Sequence, residues 1–477
     1  MIFSSFIFLF FFLIITIGLY YVCPKRIRNL VLVVTSLVFY AWGEPIYVTI
    51  MLSSILFNWI IGILIHNSKE RQKESAIFQK LKVDKVLIII CCIVNLGTLG
   101  FFKYTNFFFE NVNSIFDFAI ESLEIVMPIG ISFYTFQTLS YVIDVYLGKV
   151  KVQKNIIDFA AFVTMFPQLI AGPIVRYSDI DTQLVTREES FEKVSKGIIR
   201  FIAGLGKKVL FANKAGAIWE AVYSNLNGEM TVSMAWLGAI AFTFQIYFDF
   251  SGYSDMAVGL GQMFGFDFPE NFKYPYISRS ITDFWRRWHI TLSSWFKEYV
   301  YIPLGGNRKG KGRQILNLFI VWALTGLWHG ASWNFVIWGI YFFALLMLEK
   351  LFLLKFFEKL PKFFSHVYSL FFIIIGWIIF SCTSITEIGT YIQNMFYGKL
   401  MSDYTLYLLG SNAILLILMG IASTPIPKKV AKGIAEKLKL SPETRYMFKI
   451  VASMIVFVLS IAYLTGDSYN PFLYFRF

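Results

Sequence analysis

An all-α protein threaded repeatedly through a membrane is what this sequence predicts, on three observations. Of its 477 residues, 57% are hydrophobic and only 15% are charged. Twelve apolar runs reach, or nearly reach, the ~20 residues a helix needs to cross the hydrocarbon of a bilayer. Most segments between those runs are short, and the longest, residues 249–314, is itself strongly aromatic and reads as part of the membrane body.

Hydrocarbon offers no hydrogen bonds, so a crossing segment must pair its own backbone, and a helix does so. In chain order the runs are Ser5 to Tyr21, Asn29 to Trp42, Tyr47 to Ile65, Val86 to Phe102, Ile125 to Leu147 and Ile157 to Ile174. They continue as Ile198 to Ile218, Val232 to Phe248, Ile315 to Leu348, Val367 to Ser381, Leu406 to Ile421 and Met447 to Leu464. Several are too short, too long or too broken by Gly and Pro for one straight helix. Roughly 10 to 12 crossings are therefore expected, with re-entrant or interfacial helices where protein or water covers irregular backbone. Residues 1–464 read as one membrane domain and 465–477 as an aromatic tail. The first run lacks a basic leader and a small-residue cleavage site, and reads as a retained span rather than a signal peptide.

Cytoplasmic loops carry the excess of Lys and Arg. The basic segments are Lys25 to Arg28, Lys69 to Lys85, Lys149 to Lys154, Arg308 to Arg313 and Lys428 to Lys439. The loop from Asn106 to Glu124 holds four acids and no base, which makes it external. Both termini are then expected outside the cell. The net charge of +13 is accounted for by these anchors, which hold to anionic lipid, and calls for no nucleic acid. Cys23, Cys91, Cys92 and Cys382 form no C-x-x-C pair, so neither a disulfide framework nor a metal site is expected.

Chemistry has to sit within the membrane body, and two of the four histidines are placed for it. His289 lies in Phe284-Trp285-Arg286-Arg287-Trp288-His289. On one helix, Trp285, Trp288, His289, Leu292, Trp295, Phe296 and Tyr299 share an arc. Asp283, Arg286, Arg287, Ser293, Ser294, Lys297 and Glu298 take the other. Such a helix lies at the cytoplasmic boundary or dips part-way in, with His289 turned inward; a packing histidine bonded to backbone has the same periodicity. His329, in Gly326-Leu327-Trp328-His329-Gly330-Ala331-Ser332, falls deep in the run from Ile315 to Leu348. Gly326 and Gly330 admit a close backbone. Thr325 and Ser332 stand one turn away and can fix the imidazole tautomer. A neutral imidazole in a dry cavity suits a general base. His66 and His366 fall at span ends and read as interfacial.

Between the two histidines, Gly305 through Lys311 matches G-x-x-x-x-G-K, yet Gly312 stands where Ser or Thr must hold magnesium and no strand precedes it, which excludes nucleotide hydrolysis. Arg308, Lys309, Lys311 and Arg313 remain as a basic loop that either meets the phosphates of coenzyme A or an acidic carrier protein, or simply anchors the chain inside. Asp249 and Asp255 either orient a catalytic group or seal helix contacts, the second being favoured. Gly252-Tyr253-Ser254-Asp255-Met256 lacks the second glycine of a nucleophile elbow.

The stretch from Asp283 to Ser293, followed by Tyr301-Ile302-Pro303-Leu304-Gly305-Gly306 and by Gly326-Leu327-Trp328-His329-Gly330-Ala331, resembles the membrane-bound O-acyltransferase family, in the branch of the alginate and peptidoglycan O-acetyltransferase membrane subunits. Met127 to Gln137 and Phe166 to Pro173 resemble it too. The resemblance implies a ring of tilted helices around a funnel, with His329 as the principal catalytic histidine and His289 as the second. It also implies transfer of an acyl group, acetyl from acetyl-CoA, across the membrane to an extracellular polysaccharide or wall polymer, with no bound cofactor. Within the family the alternative is D-alanyl transfer from a carrier protein to teichoic acid. Outside it the alternative is a transporter, though no internal repeat is visible.

The tail, Asn470-Pro471-Phe472-Leu473-Tyr474-Phe475-Arg476-Phe477, is too aromatic to choose water. It either forms an interfacial belt or folds back into the external mouth. It resembles the short aromatic C-terminal motif of the small D-alanylation partner protein and of some acetyltransferases in this family, a resemblance that implies that Tyr474 takes the acyl group and hands it to a secreted or membrane-anchored acyltransferase partner.

Overall fold

The computed structural model describes residues 1–74, 81–170, 172–466 and 473, and among them regular structure is entirely helical. The helices begin with α1 (Leu13–Val22), α2 (Arg28–Ala41), α3 (Val48–Glu74), α4 (Val83–Phe116) and α5 (Ile131–Leu147). Next come α6 (Ile156–Thr164), α7 (Phe166–Leu169), α8 (Tyr177–Val185), α9 (Phe191–Gly206), α10 (Asn213–Tyr223) and α11 (Val232–Met263). The site-bearing part follows: α12 (Ile281–Trp285), α13 (Ile290–Phe296), α14 (Lys311–His329), α15 (Trp333–Leu348), α16 (Leu354–Glu358) and α17 (Lys362–Ser381). Helices α18 (Ile385–Phe396), α19 (Asp403–Ala422), α20 (Ile426–Lys437) and α21 (Pro442–Gly466) complete the described chain.

Among the described residues, seven helices are long and apolar enough to cross a membrane: α3, α4, α11, α15 with its continuation to Glu358, α17, α19 and α21. The protein is a multi-pass membrane protein. Other apolar runs fold as shorter pieces. Asn29 to Trp42 gives the 14 residues of α2, and Ile157 to Ile174 breaks at Met165 into α6 and α7.

The chain divides into two compact units, Met1–Phe201 with Met256–Pro269, and Ile202–Asp255 with Glu270–Phe477. In the first, Phe3, Phe8, Phe39 and Phe166 are buried as a cluster, with Phe12 and Phe166 edge to face at 5.3 Å. Helices α3 and α4 are joined by reciprocal side-chain amides. Asn58 Nδ2 donates to Asn95 Oδ1 at 3.0 Å, and Asn95 Nδ2 donates back to Asn58 Oδ1 at 2.9 Å. Polar pairs of this kind join helices where lipid gives no hydrophobic drive between them.

In the second unit α14 and α15 form a close hairpin. A Cβ on Gly339 would stand 2.5 Å from the Trp322 carbonyl oxygen, and one on Gly326 would collide with the Phe335 carbonyl. Gly326 is therefore used as expected, but its partner in the crossing is Gly339, since Gly330 lies against the Phe335 ring. The backbones cannot meet with a larger residue at either glycine.

A π-helical segment, Lys207–Ala212, separates α9 from α10. Its wider turn lets consecutive lysines reach one neighbouring helix. Lys207 Nζ meets Asp255 Oδ2 and Lys208 Nζ meets Asp249 Oδ1, each at 2.6 Å. Both carboxylates on α11 are thus committed to ion pairs, and the Lys208–Asp249 pair is buried.

Two expectations are corrected. The single amphipathic helix through His289 is absent: α12 ends at Trp285, a turn follows, α13 starts at Ile290, and a π-helical segment runs from Lys297 to Tyr301. The basic loop is not wholly a loop either, since Lys311 and Arg313 stand in the first turn of α14. Gly305, Gly306 and Gly310, all at positive φ, close the turn before it.

Candidate active site

His289 precedes α13 with φ of 43°, in the left-handed region that a β-substituted residue occupies at a cost. Neighbouring bonds hold it there. Ile290 N donates to Asn271 O at 3.0 Å and Lys273 N to Arg287 O at 3.0 Å, so residues 271–273 clamp the backbone on both sides of the histidine. The strained residue breaks the helix and aims the imidazole inward, where it is 1% exposed.

Asn271, which nothing in the sequence singled out, orients the ring. Its Oδ1 accepts from Thr291 N at 3.2 Å and Thr291 Oγ1 at 2.9 Å, and lies 3.2 Å from His289 Nδ1. The backbone N–H of Thr291 can only donate, which fixes that atom of Asn271 as the oxygen. His289 Nδ1 must then carry the proton, and Nε2 presents a lone pair. Nε2 is buried with no hydrogen-bond partner. Burial also pushes the imidazole pKa below the ordinary histidine value, so the ring stays neutral. Phe250 stands edge-on to it at 4.7 Å.

His329 is the last residue of α14, where Gly330 to Ser332 interrupt the apolar run before α15. Its ring packs edge-on against Trp328 and Trp338, both at 5.0 Å, and Phe380 at 5.3 Å. Trp328 touches the other histidine as well, with ring centroids 5.9 Å apart. One indole therefore separates the two imidazoles. The hydroxyls expected to serve His329 donate elsewhere: Thr325 Oγ1 to Val321 O at 2.7 Å, and Ser332 Oγ to Asn334 Oδ1. Only their acceptor lone pairs remain for the imidazole.

Both histidines line a cavity of about 270 Å³ with an apolar wall from Trp288, Leu292, Phe296, Val321, Trp322 and Leu346. Arg286, Lys297 and Tyr301 line it too. Trp285 completes the wall, and its Nε1–H is buried without a partner. The lining thus holds an unpaired acceptor, His289 Nε2, and an unpaired donor, Trp285 Nε1. Buried polar atoms are seldom left unmet, and in a cavity wall they invite a ligand.

A buried carboxylate sets the segment that carries His289. Glu349, 1% exposed, accepts from Ile281 N at 2.5 Å through Oε1, and from Thr282 N at 2.8 Å and Thr282 Oγ1 at 2.6 Å through Oε2. It caps the start of α12 from another helix, where the dipole favours negative charge. Truncating it strands two backbone donors at about 1–3 kcal/mol each. Glu349→Ala is expected to lower the melting temperature in detergent markedly, and Glu349→Gln, which keeps one acceptor oxygen, much less. Equal melting of the two variants would refute the capping role.

Arg308, Lys309, Lys311 and Arg313 are all exposed. Arg313 Nε donates to Leu304 O at 3.2 Å and Asn317 Nδ2 to Gly306 O at 2.9 Å, which shapes the turn. None of the four lines the cavity, although Tyr301, just before that turn, does. His366 Nδ1 bonds to Ser278 O at 3.0 Å and stands apart from it. Tyr474 lies outside the described residues. Its neighbour Leu473 is buried, and Leu473 N donates to Asp249 Oδ2 at 2.8 Å.

The family model of membrane-bound O-acyltransferases matches residues 150–392. A probable alginate O-acetylase of Pseudomonas putida is 39% identical over 100% of this chain and 100% of its own. The peptidoglycan O-acetyltransferase of Helicobacter pylori is 34% identical over 80% of this chain and 77% of its own. The teichoic acid D-alanyltransferase of Bacillus subtilis is 30% identical over 49% of this chain and 60% of its own.

Proposed function

The chain belongs to the membrane-bound O-acyltransferase family, and from that premise we propose that it moves an acetyl group from a cytoplasmic thioester, acetyl-CoA, across the membrane for O-acetylation of an extracellular polysaccharide or wall polymer. The observation that carries this reading is the pair of histidines on one apolar cavity, with His289 Nε2 left unpaired.

A thioester is already activated, so the protein has to deprotonate a hydroxyl, stabilise the oxyanion and exclude water. His329 takes the hydroxyl proton as the oxygen attacks the carbonyl carbon. The carbonyl becomes an oxyanion within reach of an N–H donor, for which Trp285 Nε1 is the free candidate. Collapse breaks the C–S bond, and the proton returns from His329 to the thiolate. Neutral His289, whose Nε2 can only accept, orients the acyl donor by accepting from an amide N–H of its pantetheine arm, since the single hydroxyl proton goes to His329. Arg308, Lys309, Lys311 and Arg313 would receive the phosphates of the donor. Cations in the first turn of α14 oppose its dipole, a cost that an anionic ligand would offset.

The first acceptor in this reading is the phenol of Tyr474. The ester then passes to the serine of a secreted or membrane-anchored acyltransferase, with both termini of this chain outside the cell, and from there to the polymer. D-alanyl transfer from a carrier protein to teichoic acid is the second reading, supported by likeness to the Bacillus relative. Acetylation is favoured because the acetylase relatives match the whole chain or most of it.

Incubation of purified protein with labelled acetyl-CoA tests the reading. Release of free coenzyme A with label transferred to protein is expected. Turnover of a D-alanyl carrier thioester but not of acetyl-CoA would select the second reading, and turnover of neither would leave a transporter.

A further inference from the structure

The first compact unit holds a second, polar cavity of about 380 Å³ that the acyl-transfer reading leaves unused. Its wall includes Lys25, Arg26, Asn29, Asp158, Arg187 and Glu189. It opens where the 3-10 turn Lys25–Ile27 enters α2, beside the start of α6 and the end of α8.

Two buried guanidiniums, Arg187 in this wall and Arg28 paired with the lining Glu189, share one carboxylate. The side chains of Arg28 and Arg187 are 11% and 8% exposed, and that of Glu189 is 6% exposed. Arg28 Nη1 pairs with Glu189 Oε2, and Arg187 Nε stands 3.4 Å from Glu189 Oε1. Arg187 also donates to Tyr20 Oη at 2.8 Å through Nε and to Asn29 Oδ1 at 2.7 Å through Nη1, while its Nη2 makes none of these bonds.

The remaining carboxylate, Asp158, offsets one further charge and is turned to neutral partners. Asp158 Oδ1 accepts from Asn29 Nδ2 at 2.7 Å and Oδ2 from Asn155 Nδ2 at 3.0 Å, so both its oxygens are engaged by amides. Lys25 and Arg26 are exposed at the rim and have no acidic partner among the described residues. Four cations, Lys25, Arg26, Arg28 and Arg187, therefore meet two carboxylates, Asp158 and Glu189, leaving a net charge of +2. The excess sits on the exposed Lys25 and Arg26, and an arginine fork beside two such cations matches a phosphate.

The geometry points to a binding site for a phosphate ester in this cavity, formed by Lys25, Arg26 and Arg187 over the Arg28–Glu189 pair. The cavity is larger than a phosphate ion alone, which leaves room for a small polar moiety attached to it. Two sources carry that chemistry: the headgroup of an anionic phospholipid, and a soluble phosphorylated small molecule. The positive-inside rule turns the Lys25 to Arg28 segment toward the cytoplasm, where both are available. A bound phosphate would tie together the starts of α2 and α6 and the end of α8.

The test reads binding and not acyl transfer, using the full chain in detergent. One arm follows thermal melting with glycerol 3-phosphate, and the other uses micelles doped with phosphatidylglycerol or phosphatidylcholine. Lys25→Ala/Arg26→Ala is the variant, since both side chains lie outside the buried network and the double variant should fold. Saturable stabilisation is expected from glycerol 3-phosphate, or from phosphatidylglycerol alone if the source is lipid. The double variant should weaken it by roughly tenfold or more, as expected for the loss of charged hydrogen bonds. Three results overturn the site: no saturable stabilisation in either arm, equal stabilisation by phosphatidylcholine and phosphatidylglycerol with none from glycerol 3-phosphate, or binding by the double variant as tight as wild type.

Discussion

His329→Ala is expected to lower acyl transfer by ~10²–10⁴-fold, the usual worth of a positioned general base, and to leave the protein folded in detergent. The fold should survive because the aromatic wall around position 329 packs on itself. Trp338 and Phe380 meet at 5.4 Å, and Phe335 and Phe380 at 5.0 Å, without the imidazole. His289→Ala should act less uniformly. Asn271 Oδ1 keeps both bonds from Thr291, so the loop stays closed, but the unpaired acceptor nitrogen leaves the cavity. Labelled coenzyme A release measured beside a melting curve separates the two variants. Transfer by His329→Ala near the wild-type rate would sink the general-base assignment.

Tyr474→Phe should abolish polymer acylation, because it keeps the ring and removes the nucleophilic oxygen. The Leu473 contact should be unaffected by that change. Leu473 reaches Asp249 through its backbone N–H, and Asp249 is held by Lys208, contacts that do not involve the phenol. The wild-type tail peptide should carry an acetyl-sized, base-labile mass increment that the variant lacks. Normal polymer acylation by Tyr474→Phe would show that acyl passes directly to another acceptor.

The helical, membrane-crossing character was legible because composition and apolar run length report the solvent directly. Helix boundaries were less so. The arc drawn through His289 named residues that are in fact buried, Trp288, Leu292, Trp295, Phe296 and Tyr299 among them, yet the helix that was to carry them does not exist. Burial patterns survive a turn that keeps the same face inward, so periodicity could not reveal the break at a non-glycine residue. The π-helical segment at Lys297–Tyr301 was equally invisible, because one extra residue per turn leaves no composition signal. Both histidines were singled out for being ionisable in apolar surroundings. Asn271 and Glu349 were not, because their roles come from residues 18 and 68 positions away in the chain. No local pattern encodes a contact of that range.

For backbone conformation alone, histidine is not the cheapest residue at position 289. Asparagine and glycine reach a φ of 43° more cheaply, and asparagine could still hydrogen-bond locally. With the role proposed for His289, backbone conformation and catalysis pull this position in opposite directions. In a population selected for thermal endurance with acylation unneeded, 289 is where substitution should appear early. Under selection for acylation the same histidine becomes a standing debt, met by stabilising changes elsewhere, such as tighter clamping by residues 271–273.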